Sequence, residues 1–115
     1  MYRIAICDDD LVFGSLLEQY LQNFAKTRRI PIDVLVFARG EEYLEFLIEE
    51  FPVDLIFLDI QFEKGLDGVQ IGKELRADIK NEMTQIIYIS GIESYAMQLF
   101  QMLNILRTCT IVHIR

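Results

Sequence analysis

A doubly wound α/β fold with a parallel sheet is what this sequence predicts, on three observations. Short apolar runs alternate with amphipathic stretches in the order βαβαβαβαβ, the pattern of strands joined through right-handed helical crossovers. The runs at Val53–Leu58 and Gln85–Ser90 are nearly continuous in apolar residues, as in strands covered on both faces. At 115 residues the chain holds one core, and no linker, repeat or low-complexity segment divides it.

Taken in order, Tyr2–Cys7 reads as a strand with Ile4 and Ile6 on one face. Leu11–Lys26 follows helical spacing through Phe13, Leu16, Leu17, Tyr20, Leu21 and Phe24. Pro31 and the β-branched run Ile32–Phe37 mark a second strand. Glu41–Glu50 is helical, with Tyr43, Leu44, Leu47 and Ile48 inward and its glutamates on a solvated face. Val53–Leu58 is the third strand, with Asp54 near its start, and Gln61–Asp67 is a loop containing Gly65. Val69–Lys80 is a helix with Val69, Ile71, Leu75 and Ile79 as burial candidates. Gln85–Ser90 is the fourth strand. Ser94 N-caps a helix running through Tyr95, Ala96, Leu99, Phe100 and Leu103, and Ile105–Ile114 is the last strand.

Composition excludes several function classes. Eleven Lys plus Arg against 18 Asp plus Glu leave a formal net charge of −7, a poor match to a nucleic-acid backbone. With 52% hydrophobic residues the chain is not disordered. No apolar run reaches the roughly 18 residues of a membrane span. MYRIAIC followed by three aspartates is not a signal peptide. Cys7 and Cys109 sit in apolar surroundings and read as reduced, buried hydrophobes, so a cytoplasmic location is expected. With one histidine, His113, they make no zinc site.

In an open parallel sheet, ligands bind beyond the carboxyl ends of the strands. Asp8, Asp9 and Asp10 follow the first strand, Asp59 the third, and Ser90 closes the fourth. Asp10 reads as the N-cap of the next helix, and a single Asp at such a position often does no more than that. The coincidence of Asp8, Asp9, Asp59 and Ser90 on one rim marks a site. Clustered carboxylates call for a cation, and Mg²⁺ takes oxygen ligands. A carboxylate is also a nucleophile toward phosphorus.

On IAICDDD (4–10), LIFLDI (55–60), LDG (66–68) and IIYIS (86–90), the chain resembles a receiver domain of two-component response regulators over about residues 2–103. The run SGIESYAMQLF (90–100) is similar to receivers of the LytTR class. The resemblance implies a flavodoxin-like, five-stranded (βα)5-type fold. It implies Asp59 as phosphoacceptor and Asp8 and Asp9 as the acidic pair binding Mg²⁺, with Asp9 the direct ligand. Gln61 would offer its backbone carbonyl to the metal, and Ser90 would sense the phosphoryl group. The implied partner is a sensor histidine kinase docking near the first helix. The implied output is transcription through a LytTR-type DNA-binding domain that this chain does not contain. The chain itself is expected neither to bind nucleic acid or membranes nor to act as an enzyme, beyond its own phosphorylation and dephosphorylation.

Two departures stand out. The loop IQFEKGLDG is one residue longer than the family's and lacks its proline. Where the family has Lys-Pro, this chain has Thr110-Ile111, and no lysine follows Lys80. Residues 104–115 do not follow the family pattern, and no fifth helix is seen. A truncated or frameshifted gene, a tail exchanged in a dimer, and a divergent receiver without the lysine all fit this tail. Exposed apolar surface on the sheet's flank points to a homodimer on the side of the fourth helix and last strand. The rival function is a phosphorylation-independent interaction module. A metal-dependent phosphatase is disfavoured by Gln61 where a second catalytic Asp would stand, and dinucleotide binding by the lack of a Gly-rich first loop.

Overall fold

The computed structural model describes residues 1–62, 65–90 and 109–113, with the backbone alone for Ser90 and 109–113. Strands β1 (Tyr2–Cys7), β2 (Ile32–Phe37), β3 (Leu55–Asp59), β4 (Gln85–Ser90) and β5 (Cys109–His113) form one parallel sheet in the order β2-β1-β3-β4-β5. Between them run α1 (Leu11–Arg28), α2 (Gly40–Glu49) and α3 (Gly68–Ala77). The chain steps from β1 outward to β2, then returns to lay β3 on the other side of β1. That reversal is the switch point of the sheet, and right-handed crossovers send the helices before and after it to opposite faces.

The core lies on the α2–α3 face. Tyr43 and Leu47 of α2 and Ile71 and Leu75 of α3 pack on alternate strand residues such as Cys7, Ile56, Leu58 and Tyr88. Burial pushes the Tyr43 phenol up to about 12. The residues between these in sequence, Ile4, Leu55 and Phe57 among them, face the α1 side.

Local chemistry sets the element ends. Asp10 caps α1 by accepting from the Phe13 N–H at 3.0 Å. The Asp67 carboxylate accepts from the Gln70 N–H at 2.9 Å, and the Gln70 amide accepts from the Asp67 N–H at 3.3 Å, a capping box that starts α3. The Arg76 guanidinium donates to the carbonyls of Asn81 at 2.8 Å and Thr84 at 2.7 Å, tying the end of α3 to the entry of β4.

The observed elements correct the sequence reading in three places, the end of the third helix, the start of the third strand and the direction of Ile48. The helix expected to run to Lys80 stops at Ala77. Asp78 turns its carboxylate to the Lys80 N–H at 3.1 Å and opens a separate 3₁₀ turn, Ile79–Asn81, which leaves Ile79 83% exposed, not buried. The third strand starts at Leu55 and not at Val53, because the Asp54 carboxylate accepts from the Arg3 N–H at 2.8 Å at the sheet's edge. Ile48 points outward, since only Tyr43 and Leu47 of its helix are buried along with Gly40. On α1, Leu16, Tyr20 and Phe24 are exposed although their spacing is helical, while Gly14 and Ala25 meet the sheet. The last strand spans Cys109–His113 within the expected 105–114, and the helix expected over 94–103 lies outside the described residues.

Arg29 closes α1 at φ 56°, its N–H turned back to the Lys26 carbonyl. A side chain in this left-handed region is strained where glycine is not. Arg29→Gly should therefore raise stability by about 0.5–1 kcal/mol in urea unfolding.

Candidate functional site

The acidic rim follows from strand register. β1 and β3 are parallel neighbours with Cys7 opposite Leu58. The next residue on each strand path, Asp8 and Asp59, must then stand side by side at the carboxyl edge. Both are buried, at 1% and 2% exposure, and Asp9 is half-buried. One carboxylate oxygen from each of Asp8, Asp9 and Asp59 lies within 4.8 Å of the others.

Backbone amides hold the two buried carboxylates in place. Asp8 Oδ1 accepts from the Asp10 N–H at 2.9 Å, and Asp59 Oδ1 from the Gln61 N–H at 3.2 Å. The Asp8 N–H donates to the Phe37 carbonyl at 3.0 Å, and the Ile60 N–H to the Ile89 carbonyl at 3.1 Å, extending the ladders past the strand ends. Beneath the rim, burial first and then the charges of Glu42 and Asp8 push the Cys7 thiol well above its ordinary value, so it is a packing residue and not a nucleophile.

Each residue singled out from sequence has a place. Asp8, Asp9 and Asp59 come together. Asp10 does not join them, since its side chain caps α1. Gln61 sits two residues past Asp59, its N–H on the Asp59 carboxylate. Asp59 pairs with Ile89, so the Ser90 backbone is one residue further along the same edge. The register then sets His113, not Thr110 or Ile111, level with Ser90 at the carboxyl end of β5. Sequence reasoning assigned no role to the glycine of LDG. A Cβ on Gly68 would overlap the Asp59 carbonyl oxygen and come 2.7 Å from Ile60 Cα, and the Gly68 N–H donates to the Ile60 carbonyl at 2.8 Å. The bare glycine lets α3 begin directly against the backbone of Asp59.

An all-oxygen donor set with buried negative charge suits a hard divalent cation such as Mg²⁺ and not a thiophilic metal. The family profile of the response regulator receiver domain matches residues 4–104. The chain belongs to that family. Receiver domains bind Mg²⁺ at an acidic pocket and interact with sensor histidine kinases, and the three-aspartate cluster agrees with such a pocket. Over 62 residues this receiver is 32% identical to the sensory transduction protein LytT of Oceanobacillus iheyensis, covering 54% of the chain and 24% of that relative, in keeping with the LytTR class. The chain thus spans about a quarter of the length of that curated relative.

Among solved structures, it is similar to a putative response regulator from Chloroflexus aurantiacus, with a TM-score of 0.78 and 22% identity over 97% of this chain and 84% of that one. It is also similar to the Vibrio cholerae chemotaxis protein CheY4, with a TM-score of 0.77 and 18% identity over 98% and 86%. These likenesses establish the flavodoxin-like receiver fold. Among the described residues no helix is long and apolar enough to cross a membrane.

Gly68→Ala should cost about 1–3 kcal/mol through overpacking. In amide NMR spectra the largest shifts should fall on Asp59, Ile60 and Gln61.

Proposed function

We propose that this receiver is a phosphoacceptor switch, with Asp59 taking the phosphoryl group from a phosphohistidine on a sensor kinase. The observation that carries the reading is the meeting of the Asp8, Asp9 and Asp59 carboxylates at the sheet's switch point. A carboxylate oxygen of Asp59 attacks phosphorus and the P–N bond of the donor breaks. The departing imidazole keeps the electron pair and takes its proton from solvent. The Gln61 N–H orients the attacking carboxylate, and the near-complete burial of Asp59 limits the access of bulk water to the acyl phosphate, a mixed anhydride.

Asp8, Asp9, Asp59 and the Gln61 carbonyl would hold Mg²⁺, which supplies charge neutralisation for the phosphoryl oxygens when bound. Ser90 is the hydroxyl that answers the phosphoryl group at the neighbouring strand end. Aspartyl phosphate would bias a two-state element that begins at Ser90. The natural output is transcription through a LytTR-type domain. On this reading the chain turns over no substrate other than its own aspartyl phosphate, and it works in the cytoplasm.

The absence of any lysine after Lys80 favours one second reading. Without that cation the phosphoryl group lacks a charge-assisted bond worth roughly 1.5–3 kcal/mol. The chain would then act as a phosphorylation-independent interaction module, for which Asp59→Asn leaves partner binding unchanged.

Intact-protein mass spectrometry after incubation with Mg²⁺ and acetyl phosphate separates the two. The switch reading predicts one added phosphoryl group on the wild type, none on Asp59→Asn, and strongly reduced addition on Asp9→Asn. An unmodified wild type that still binds Mg²⁺ and accepts nothing from histidine kinases would favour the module.

A further inference from the structure

The carboxyl ends of α2 and α3 do not close on each other. Between them lies a groove of about 650 Å³ whose walls belong to α2, α3 and the 3₁₀ turn. Of its apolar lining, Leu47 is buried and Leu44 half-buried, whereas Ile48 and Ile79, on opposite walls, are 77% and 83% exposed. The apolar surface continues toward the amino ends of β3 and β4. There the Thr84 hydroxyl donates to the Val53 carbonyl at 2.7 Å and holds the two segments together. Phe51 and Met83, each within two residues of that contact, are 84% and 82% exposed. Four large apolar side chains turned outward at one end of the domain mark an interaction face.

The charges around the groove say what fits it. Glu45 precedes Ile48 by one helical turn on α2, and the α3 side carries Glu74 and Asp78. The nearby cations are engaged with backbone. The Lys80 ammonium donates to the Leu47 carbonyl at 2.5 Å, at the negative end of the α2 dipole. The Arg76 guanidinium is turned to the carbonyls of Asn81 and Thr84. The Asp78 carboxylate accepts from the Lys80 N–H, but among the described residues Glu45 and Glu74 have neither an ion pair nor a side-chain hydrogen bond. Asn81, 2% exposed, also lines the groove, and its Oδ1 accepts no hydrogen bond among the described residues.

An apolar strip flanked by unpaired carboxylates is complementary to an amphipathic helix with apolar residues one turn apart and Lys or Arg along its flanks. It is not complementary to itself. A two-fold pairing here would set Glu45 and Glu74 against acidic counterparts, on a chain of net charge −7.

We propose that the α2–α3 groove docks a basic amphipathic helix of another protein. Ile48 and Ile79 take its apolar stripe, and Glu45 and Glu74 pair with its Lys or Arg side chains. The groove lies on the face of the sheet opposite α1, so this partner leaves the first helix free for a kinase, and its binding does not draw on Asp59. The fourth-helix flank, for which the sequence suggested self-association, lies outside the described residues.

Amide NMR titration of the 115-residue chain tests this. The probe is a synthetic amphipathic helix of leucine and lysine repeating LKKLLKL, beside its LEELLEL counterpart. The lysine peptide should shift the amides of Leu44, Ile48, Glu74, Ala77 and Ile79 most, and the glutamate peptide should shift none of them. Glu74→Lys and Ile48→Ser should each raise the Kd at least fivefold with unchanged far-UV circular dichroism. Glu18→Lys, which makes the same change of net charge on α1, should leave it unchanged. Shifts spread over the acidic surface or centred on α1, or an equal loss of affinity with Glu18→Lys, would overturn the proposal. So would groove signals that move with protein concentration alone, which would give the face to a second copy, and so would the absence of binding at millimolar peptide.

Discussion

Two carboxylates held side by side out of water repel each other, and the upper edge of this sheet is organised around that repulsion. For ionised groups about 5 Å apart at an effective dielectric of about 20, the Coulomb term is about 3 kcal/mol. That is a large share of a small domain's total stability. Asp8 and Asp59 accept it because the β1–β3 register leaves them no other place. The Asp10 and Gln61 amides offset part of the charge. The remaining negative charge on an all-oxygen rim suits a hard divalent cation.

The same reversal of strand order has a second consequence. It opens the crevice between β1 and β3 where the carboxylates meet, and it also leaves α1 on the opposite face from α2 and α3. The α2–α3 layer closes a continuous core over Ile56, Leu58 and Tyr88. On the other face, α1 presents Tyr20 and Phe24 outward while Ile4 and Ile6 beneath it are buried. Asp10, at the amino end of α1, both caps the helix and follows Asp8 and Asp9.

Much of this was legible in the sequence. Buried parallel strands announce themselves as unbroken apolar runs, which is why Gln85–Ser90 was read to the residue. The aspartates stood out because they follow those runs directly. Helix ends were less legible, since a polar side chain can stop a helix by bonding backbone, as Asp78 does. The outward tilt of Tyr20 and Phe24 was hidden because helical spacing marks a helix without saying how much of its apolar flank a sheet will cover. Register was beyond periodicity altogether. Only the three-dimensional arrangement shows that Asp8 and Asp59 stand side by side, that His113 is level with Ser90, and that Gly68 must lack a side chain for α3 to start against Asp59.

The claim on which the rest depends is that the three aspartates form a functional cation site and not a set of helix caps. Thermal unfolding with and without millimolar Mg²⁺, on the wild type and on Asp59→Asn, tests it most directly. A bound cation stabilises the folded state by mass action. The account predicts that Mg²⁺ raises the wild-type Tm. It also predicts that Asp59→Asn is the more stable protein without the ion, through relief of repulsion, and gains much less from adding it. A wild-type Tm indifferent to Mg²⁺, with Asp59→Asn less stable than the wild type in its absence, would contradict the account.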